Sequence, residues 1–359
     1  MTRPARILLG QLGSFGDCLY VTAIARQIKE DYPECHLTWA IGSPYRSILD
    51  ANPHVDRIWE VPIEGRRDMD SAWRSFEREA RERHRTGEFD HIFLTQLGPN
   101  NYQNFDGTIR PSLFRGYPRP ITVPITPVLR LSEKEVNTVS EFAEFHRLAT
   151  FRNVVLFECM PASGQSFVTP AFSLAAARRV LQLVPDTAFI LSSRQPINAG
   201  DPRIIDASTL DFRANAELTK HCSLIAGCSS GISWLCTSSW AHPLPMIQML
   251  KRSTSVFASM IHDAEYFRLP VEHILEMYDC SEARLAGCLV TALQNNFAEA
   301  RRNFHERVPV TLDSYLEVFM LSVLKQGQPI KMLRSLRLVA QRYGLKPFGD
   351  YLRSKFDSL

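Results

Sequence analysis

Two lobes of parallel-sheet α/β structure are predicted for this 359-residue chain, on three observations. Strand and helix patterns alternate in two separate series. The strand patterns are short, nearly continuous apolar runs of the kind buried on both faces. The length suits two domains of roughly 100–200 residues, each able to bury its own core.

In the first series, strands are expected near residues 6–10, 36–41, 57–61 and 90–95, with helical periodicity at 17–31, 44–52 and 68–85. Ile7, Leu8 and Leu9 form the opening run, and Leu19, Ile24 and Ile28 recur beyond it at helical spacing. Such βαβ repetition requires right-handed crossovers and a sheet covered by helices on both faces. After Asp90–Thr95 comes a stretch rich in Gly, Pro, Asn and Arg, reaching about Pro127. It reads as a long irregular loop, and loops of that length usually carry function, so a substrate loop is expected. A helix from about Ser132 to Ala149 leads to the second series, with strands at 153–157, 187–191, 224–226 and 246–249 and helices near 171–183, 212–221 and 231–238. From about Glu282 the pattern is helical and long enough to return across the first lobe. The expected division is a first domain at 1–150, a second at 151–330, and a basic helical segment at 331–359 packing on the first.

Composition narrows the class of function. With 45% apolar and 22% charged residues, a net charge of +3 and an isoelectric point near 8.4, the chain reads as a soluble protein suited to anionic small ligands or a membrane surface. No motif for nucleic acid is visible, and no nucleic-acid partner is expected. The eight cysteines include no CxxC pair and no zinc-type spacing, so they read as reduced thiols of a cytoplasmic protein. Arg3 and Arg6 before an apolar stretch ending in Ala23-Ile24-Ala25 mimic a signal peptide, but Gly10, Gln11, Gly13, Ser14, Gly16 and Asp17 interrupt it. No run approaches the ~18 consecutive apolar residues of a membrane span. No Asp-x-Asp pattern suggests a divalent metal.

The loop Gln11-Leu12-Gly13-Ser14-Phe15-Gly16-Asp17 lies where the first strand hands over to a helix. Glycines there permit close backbone approach to a ligand. Asp17 has two readings, a helix N-cap or a carboxylate facing the crevice at the carboxyl ends of the strands.

The run Ile7 to Asp17, the helix through Ala25-Arg26 to Tyr32-Pro33, and Asn52-Pro53-His54-Val55-Asp56 before the third strand together resemble the opening of the bacterial heptosyltransferases, glycosyltransferase family 9. A second match, Ile225-Ala226-Gly227-Cys228-Ser229-Ser230-Gly231-Ile232-Ser233-Trp234-Leu235, is similar to that family's donor-site turn. The resemblance implies a GT-B fold: two Rossmann-like lobes with parallel sheets facing a central cleft. It also implies an acceptor on the first lobe, a nucleotide-activated sugar on the second, and Asp17 as general base. An inverting transfer needs such a base to take the acceptor hydroxyl proton as the oxygen attacks the anomeric carbon.

The leaving nucleoside diphosphate must be met by positive charge or aligned donors. Ser229, Ser230 and Gly231 are one candidate for this role. The other is the turn Pro161–Pro170, with Ser163, Gly164, Gln165, Ser166 and Thr169. The chain departs from the family pattern here. Ser229 replaces an aspartate, Trp234 replaces a histidine, and the usual phosphate-binding lysine is missing from the 161–170 turn. Arg194 is the candidate for the missing charge, though it can equally be a solvated loop residue, and Lys251 and Arg252 stand in reserve. Candidate acceptor contacts are Gly13, Ser14, Asn100, Asn101 and Arg110, with Asn104, Arg115, Tyr117 and Arg119 nearby. The basic residues from Lys325 to Lys355 alternate with leucines and aromatics. The helix they form either lies against anionic lipid or packs its apolar stripe on the first lobe.

The expectation is a cytoplasmic, metal-independent, inverting glycosyltransferase, peripheral at the inner membrane face. It would need no cofactor beyond its nucleotide-diphosphate sugar, with a saccharide or glycolipid of lipopolysaccharide type as acceptor. A sugar-nucleotide epimerase or hydrolase of the same fold, and an inactive nucleotide- or glycan-binding relative, are the alternatives.

Overall fold

A computed structural model describes residues 3–98, 101–162, 164–254, 258–307, 310, 312, 315–316 and 320–356. The chain divides into two units, Met1–Arg130 with Thr311–Leu359, and Leu131–Val310. The helix beginning at Glu133 therefore belongs to the second unit, and the chain after Val310 belongs to the first.

The first unit opens with β1 (Arg6–Gly10), α1 (Phe15–Asp31), β2 (His36–Gly42), β3 (Arg57–Val61), α2 (Met69–Arg85), β4 (His91–Leu94) and α3 (Ile109–Phe114). The strands pair in parallel in the order β3-β2-β1-β4. Ile7, Leu8 and Leu9 of β1 and Leu37, Trp39 and Ile41 of β2 are fully buried, which explains their apolar runs, broken only by the buried Thr38. On α2, Trp73, Phe76 and Ala80 are spaced at three and four residues and pack on Leu8, Leu12 and Ala40. The helix expected at 44–52 is instead a 3-10 turn, Ser43–Leu49, ended by Ala51 in the left-handed region (φ 57°) ahead of Asn52-Pro53.

Among the described residues the stretch after β4 is irregular, as its composition suggests, apart from a 3-10 turn (Tyr102–Asn104) and α3. It runs back along α1, whose side chains satisfy its backbone: Thr122 N and Val123 N donate to Gln27 Oε1 at 2.7 and 3.1 Å, and Val128 N donates to Thr22 Oγ1 at 2.7 Å.

The second unit contains α4 (Glu133–Phe145), β5 (Asn153–Glu158), α5 (Pro170–Leu183), β6 (Thr187–Ser192), β7 (Ile204–Asp206), α6 (Ala214–Leu218), β8 (Leu224–Gly227), α7 (Gly231–Leu235) and β9 (Met246–Leu250). It ends with α8 (Met260–Tyr266), β10 (Ile274–Tyr278), α9 (Glu282–Gln294) and α10 (Phe297–Phe304). Its sheet is parallel throughout, in the order β10-β9-β8-β5-β6-β7. Two of these strands escaped the sequence pattern. β7 has only three residues at the sheet edge, and β10 carries Glu276 inside its apolar run. The helix expected over 212–221 shrinks to α6 and a 3-10 turn, and the one over 231–238 shrinks to α7.

Back in the first unit lie α11 (Leu321–Lys325), α12 (Pro329–Tyr343) and α13 (Lys346–Phe356). Met332, Leu336, Val339, Tyr343 and Phe348 pack against Leu97, Phe105 and Ile109. Arg342 donates to Asp106 at 2.8 Å and to Thr108 Oγ1 at 2.6 Å, while Arg115 reaches the same carboxylate at 2.7 Å. Burial alone would push Asp106 up, and the two guanidinium groups hold it below the ordinary carboxylate range. Replacing Arg342 by Ala removes two charge-assisted or buried hydrogen bonds and leaves Asp106 with the Arg115 guanidinium and the donors of Thr108, its N–H and Oγ1. The unfolding free energy then falls by about 2 kcal/mol, read from the urea midpoint.

Candidate functional site

In an open parallel sheet, ligands gather at the carboxyl ends of the strands, where the chain leaves two neighbouring strands in opposite directions. The strand orders put that point between β1 and β4 in the first unit and between β5 and β8 in the second.

At the β1–β4 point the turn Gln11–Ser14 is held by Gln96, at the end of β4. Gln96 Oε1 accepts from Leu12 N (3.0 Å), Gly13 N (3.2 Å) and Gln11 Nε2 (2.9 Å), and Gln11 Nε2 also reaches Gly13 O (2.6 Å). The amides of Leu12 and Gly13 are thus already engaged, and a ligand here meets side chains. A Cβ on Gly13 would come within 2.5 Å of the Tyr45 ring and 2.7 Å of the Met69 methyl, so glycine lets these two groups cover the turn. Ser14, exposed, is the N-cap of α1, and Asp17 is the third residue of that helix, half-buried. Ser14 N and Oγ donate to Asp17 Oδ2 at 3.4 and 3.3 Å, so Asp17 closes a capping box and is not itself the N-cap.

Asn101 joins this point: its Nδ2 donates to Leu94 O (2.5 Å) and Gln96 O (3.0 Å), pinning the chain after β4. Arg110 is buried within α3, and Asn100 lies outside the described residues. The neighbouring groups are engaged in structure. Arg115 binds Asp106 and the Asn104 carbonyl, Tyr117 donates to Asp31, and Arg119 stacks on Tyr32 at 4.4 Å.

At the β5–β8 point the chain brings together the 161–170 turn, the 227–231 turn and the end of β9. Gln165 Nε2 donates to Ser229 O at 2.9 Å, and Lys251 N donates to Gln165 O at 2.9 Å. Gly164 adopts φ 76°, a left-handed conformation for which glycine is suited. Ser166 Oγ accepts from Val168 N at 3.3 Å, and Thr169 caps α5 by accepting from Phe172 N at 3.2 Å. Ser163 lies outside the described residues. Ser229, buried and at φ 50°, donates its N–H to Gln248 Oε1 at 2.6 Å. Among the described residues its Oγ and Gln248 Nε2 are buried and have no hydrogen-bond partner.

A residue that sequence patterning missed, Glu158, lies at the centre of this second point. It ends β5 fully buried, and Cys228 N (3.0 Å), Ser233 Oγ (2.9 Å) and Ser230 Oγ all donate to its carboxyl group. Burial pushes it up to about 7, against these hydrogen bonds. Ser230 and Gly231 therefore begin α7 over a carboxyl group of the protein itself. Of the charged residues expected for this region, Lys251 is joined to the 161–170 turn through its backbone N–H. Arg194 stands exposed beyond β6, which flanks β5 on the side away from β8. Arg252 is committed to the Tyr278 ring (4.1 Å) and Asp279 (3.8 Å). Among the described residues no three His, Cys, Asp or Glu side chains are grouped to hold a metal ion.

No family model matches the chain, and no curated protein matches it by sequence. Its structure is similar to that of a glycosyltransferase family 9 protein from Veillonella parvula, with 14% identity, TM-score 0.56, and 89% of this chain and 97% of that one covered. It is also similar to a Listeria monocytogenes protein provisionally named a UDP-N-acetylglucosamine 2-epimerase, with 11% identity, TM-score 0.51, and 88% and 97% covered. At these identities the likeness establishes the fold alone, the GT-B class with two parallel-sheet α/β units.

Proposed function

We propose that this protein is a metal-independent, inverting glycosyltransferase. A nucleoside diphosphate sugar binds the second unit at the carboxyl ends of β5, β8 and β9, and a saccharide or glycolipid acceptor binds the first unit at the end of β1. The observation that carries the reading is the half-buried carboxylate of Asp17 on the helix that opens from the β1–β4 point. A carboxylate so held suits removal of a hydroxyl proton. Gln165, Ser166, Thr169 and Ser229, gathered with the backbone of Lys251 at the β5–β8 point, support diphosphate binding in the second unit.

One observation favours a second reading, an inactive relative that binds a nucleotide or glycan. Glu158 already accepts the hydrogen bonds of Cys228 N, Ser230 and Ser233, where a diphosphate would otherwise find donors. Calorimetric titration with a panel of nucleoside diphosphates identifies the base. Turnover of the corresponding sugar nucleotides with and without saccharide acceptors then separates the readings. A transferase releases the diphosphate only with acceptor present, an epimerase or hydrolase converts the donor alone, and an inactive relative binds without turnover. Failure to bind any nucleotide overturns the donor assignment.

A further inference from the structure

The C-terminal helices present a second face besides the one that packs on Phe105. Among the described residues eleven large apolar side chains stand exposed, and seven of them fall within residues 321–356, so the exposure is concentrated in one short part of the chain. On α12 the exposed residues Ile330, Leu333, Arg334, Arg337 and Gln341 recur at three- and four-residue intervals, which places them on one side of the helix. Val339 and Ser335 mark the opposite, buried side. On α13, Leu352 and Phe356 lie one turn apart and are 56% and 72% exposed, with Arg353 and Lys355 between them.

The charge on this segment has one sign. Residues 329–356 contain seven Lys and Arg against a single acid, Asp350; Arg342 is turned inward to Asp106, and Lys331 is half-buried near Glu77. A purely solvated helix face has no need of isoleucine, leucine and phenylalanine, and a cationic face without them would stop at the surface of any polyanion. Aliphatic and aromatic side chains interleaved with cations match a surface that is anionic outside and apolar a few ångströms deeper.

We propose that α12 and α13 dock the protein on an anionic lipid bilayer. Ile330, Leu333, Leu352 and Phe356 enter the boundary between headgroups and acyl chains, and Arg334, Arg337 and Arg353 pair with lipid phosphates. This docking is independent of the glycosyltransferase reading. Flotation of the full-length protein with phosphatidylcholine vesicles, with and without one-third phosphatidylglycerol, tests it. Binding is expected only to the anionic vesicles and is expected to weaken toward 1 M salt, where the Debye length is about 3 Å. The triple variant Arg334→Gln, Arg337→Gln, Arg353→Gln loses roughly fivefold in partition per charge, about a hundredfold in all. The double variant Leu352→Ser, Phe356→Ser loses at least about tenfold per side chain. All five side chains are exposed, so melting temperatures stay at the wild-type value. Equal binding to neutral vesicles, no binding to either kind at low salt, or unchanged binding in either variant overturns the proposal. So does self-association abolished by Leu352→Ser, Phe356→Ser in a protein that binds no vesicle, since the face would then pair two copies of the chain.

Discussion

Replacing Asp17 by Asn lowers the rate of glycosyl transfer by about 10²–10⁴-fold, the usual contribution of a positioned general base, while calorimetric nucleotide affinity stays at the wild-type value. The substitution is chosen to separate chemistry from architecture. Asparagine keeps the size of the side chain and an oxygen that accepts from Ser14 N and Oγ, so the start of α1 is preserved. What is lost is the ability to take a proton. Ser14 supplies the neighbouring surface, Gly13 lies buried under Tyr45 and Met69, and Gln96 and Asn101 hold the loop itself. A fall in kcat with unchanged thermal stability is therefore the signature of lost base catalysis. Turnover at the wild-type rate would remove Asp17 from the mechanism, and lower stability with proportionate loss of activity would reduce it to its capping role. A donor-only conversion that survives the substitution would favour the epimerase or hydrolase alternative.

The features legible in the sequence were those set by neighbours along the chain. β1, β5 and β6 were readable because strands buried on both faces show unbroken apolar runs, and α2 because Trp73, Phe76 and Ala80 keep helical spacing. The Gln11–Asp17 loop was visible for the same reason: its strand, turn and helix are contiguous. What stayed hidden was fixed across distance. Glu158 reads as the polar end of a strand, and only folding brings Cys228, Ser230 and Ser233, about seventy residues later, around its carboxyl group. Gln96 is likewise an unremarked polar residue after β4 until β4 pairs beside β1. The stretch after Thr95 reads as irregular, and what orders it comes from Gln27 and Thr22 on α1, roughly a hundred positions upstream. For the C-terminal helices the sequence left two readings, a face against anionic lipid or an apolar stripe packed on the first lobe, and the cluster around Phe105 shows such a stripe packed.

The stability of Glu158→Gln relative to wild type should rise by on the order of 3 kcal/mol between about pH 4.5 and pH 7 and then level off, and Glu276→Gln should behave in the same way. Both glutamates are fully buried, and burial pushes each up to about 7. An unfolded chain releases these protons near pH 4.3, whereas the folded chain keeps them to about 7. Between those values the folded state binds more protons, so the stabilising contribution is complete at the acid end and is lost as pH rises through 7. Glutamine imitates the protonated acid. At position 158 its oxygen can accept from Cys228 N and Ser233 Oγ while its amide donates to Ser230 Oγ. At position 276 it can accept from Ile261 N while donating to Ser259 Oγ. Burial pushes His54, His146, His273 and His305 down, so they act in the opposite direction and gain stability as pH rises through 6.5. The difference between wild type and variant cancels that background, and denaturant midpoints at pH 5, 6, 7 and 8 give it directly. The same titration reaches the proposed ligand. A diphosphate at Ser229–Gly231 meets a carboxylate above pH 7 and a neutral acid below it. Nucleotide affinity therefore strengthens on acidification in the wild type and loses that dependence in Glu158→Gln. A pH-independent difference in stability would mean that Glu158 stays ionised throughout, and the hydrogen bonds from Cys228, Ser230 and Ser233 would then outweigh its burial.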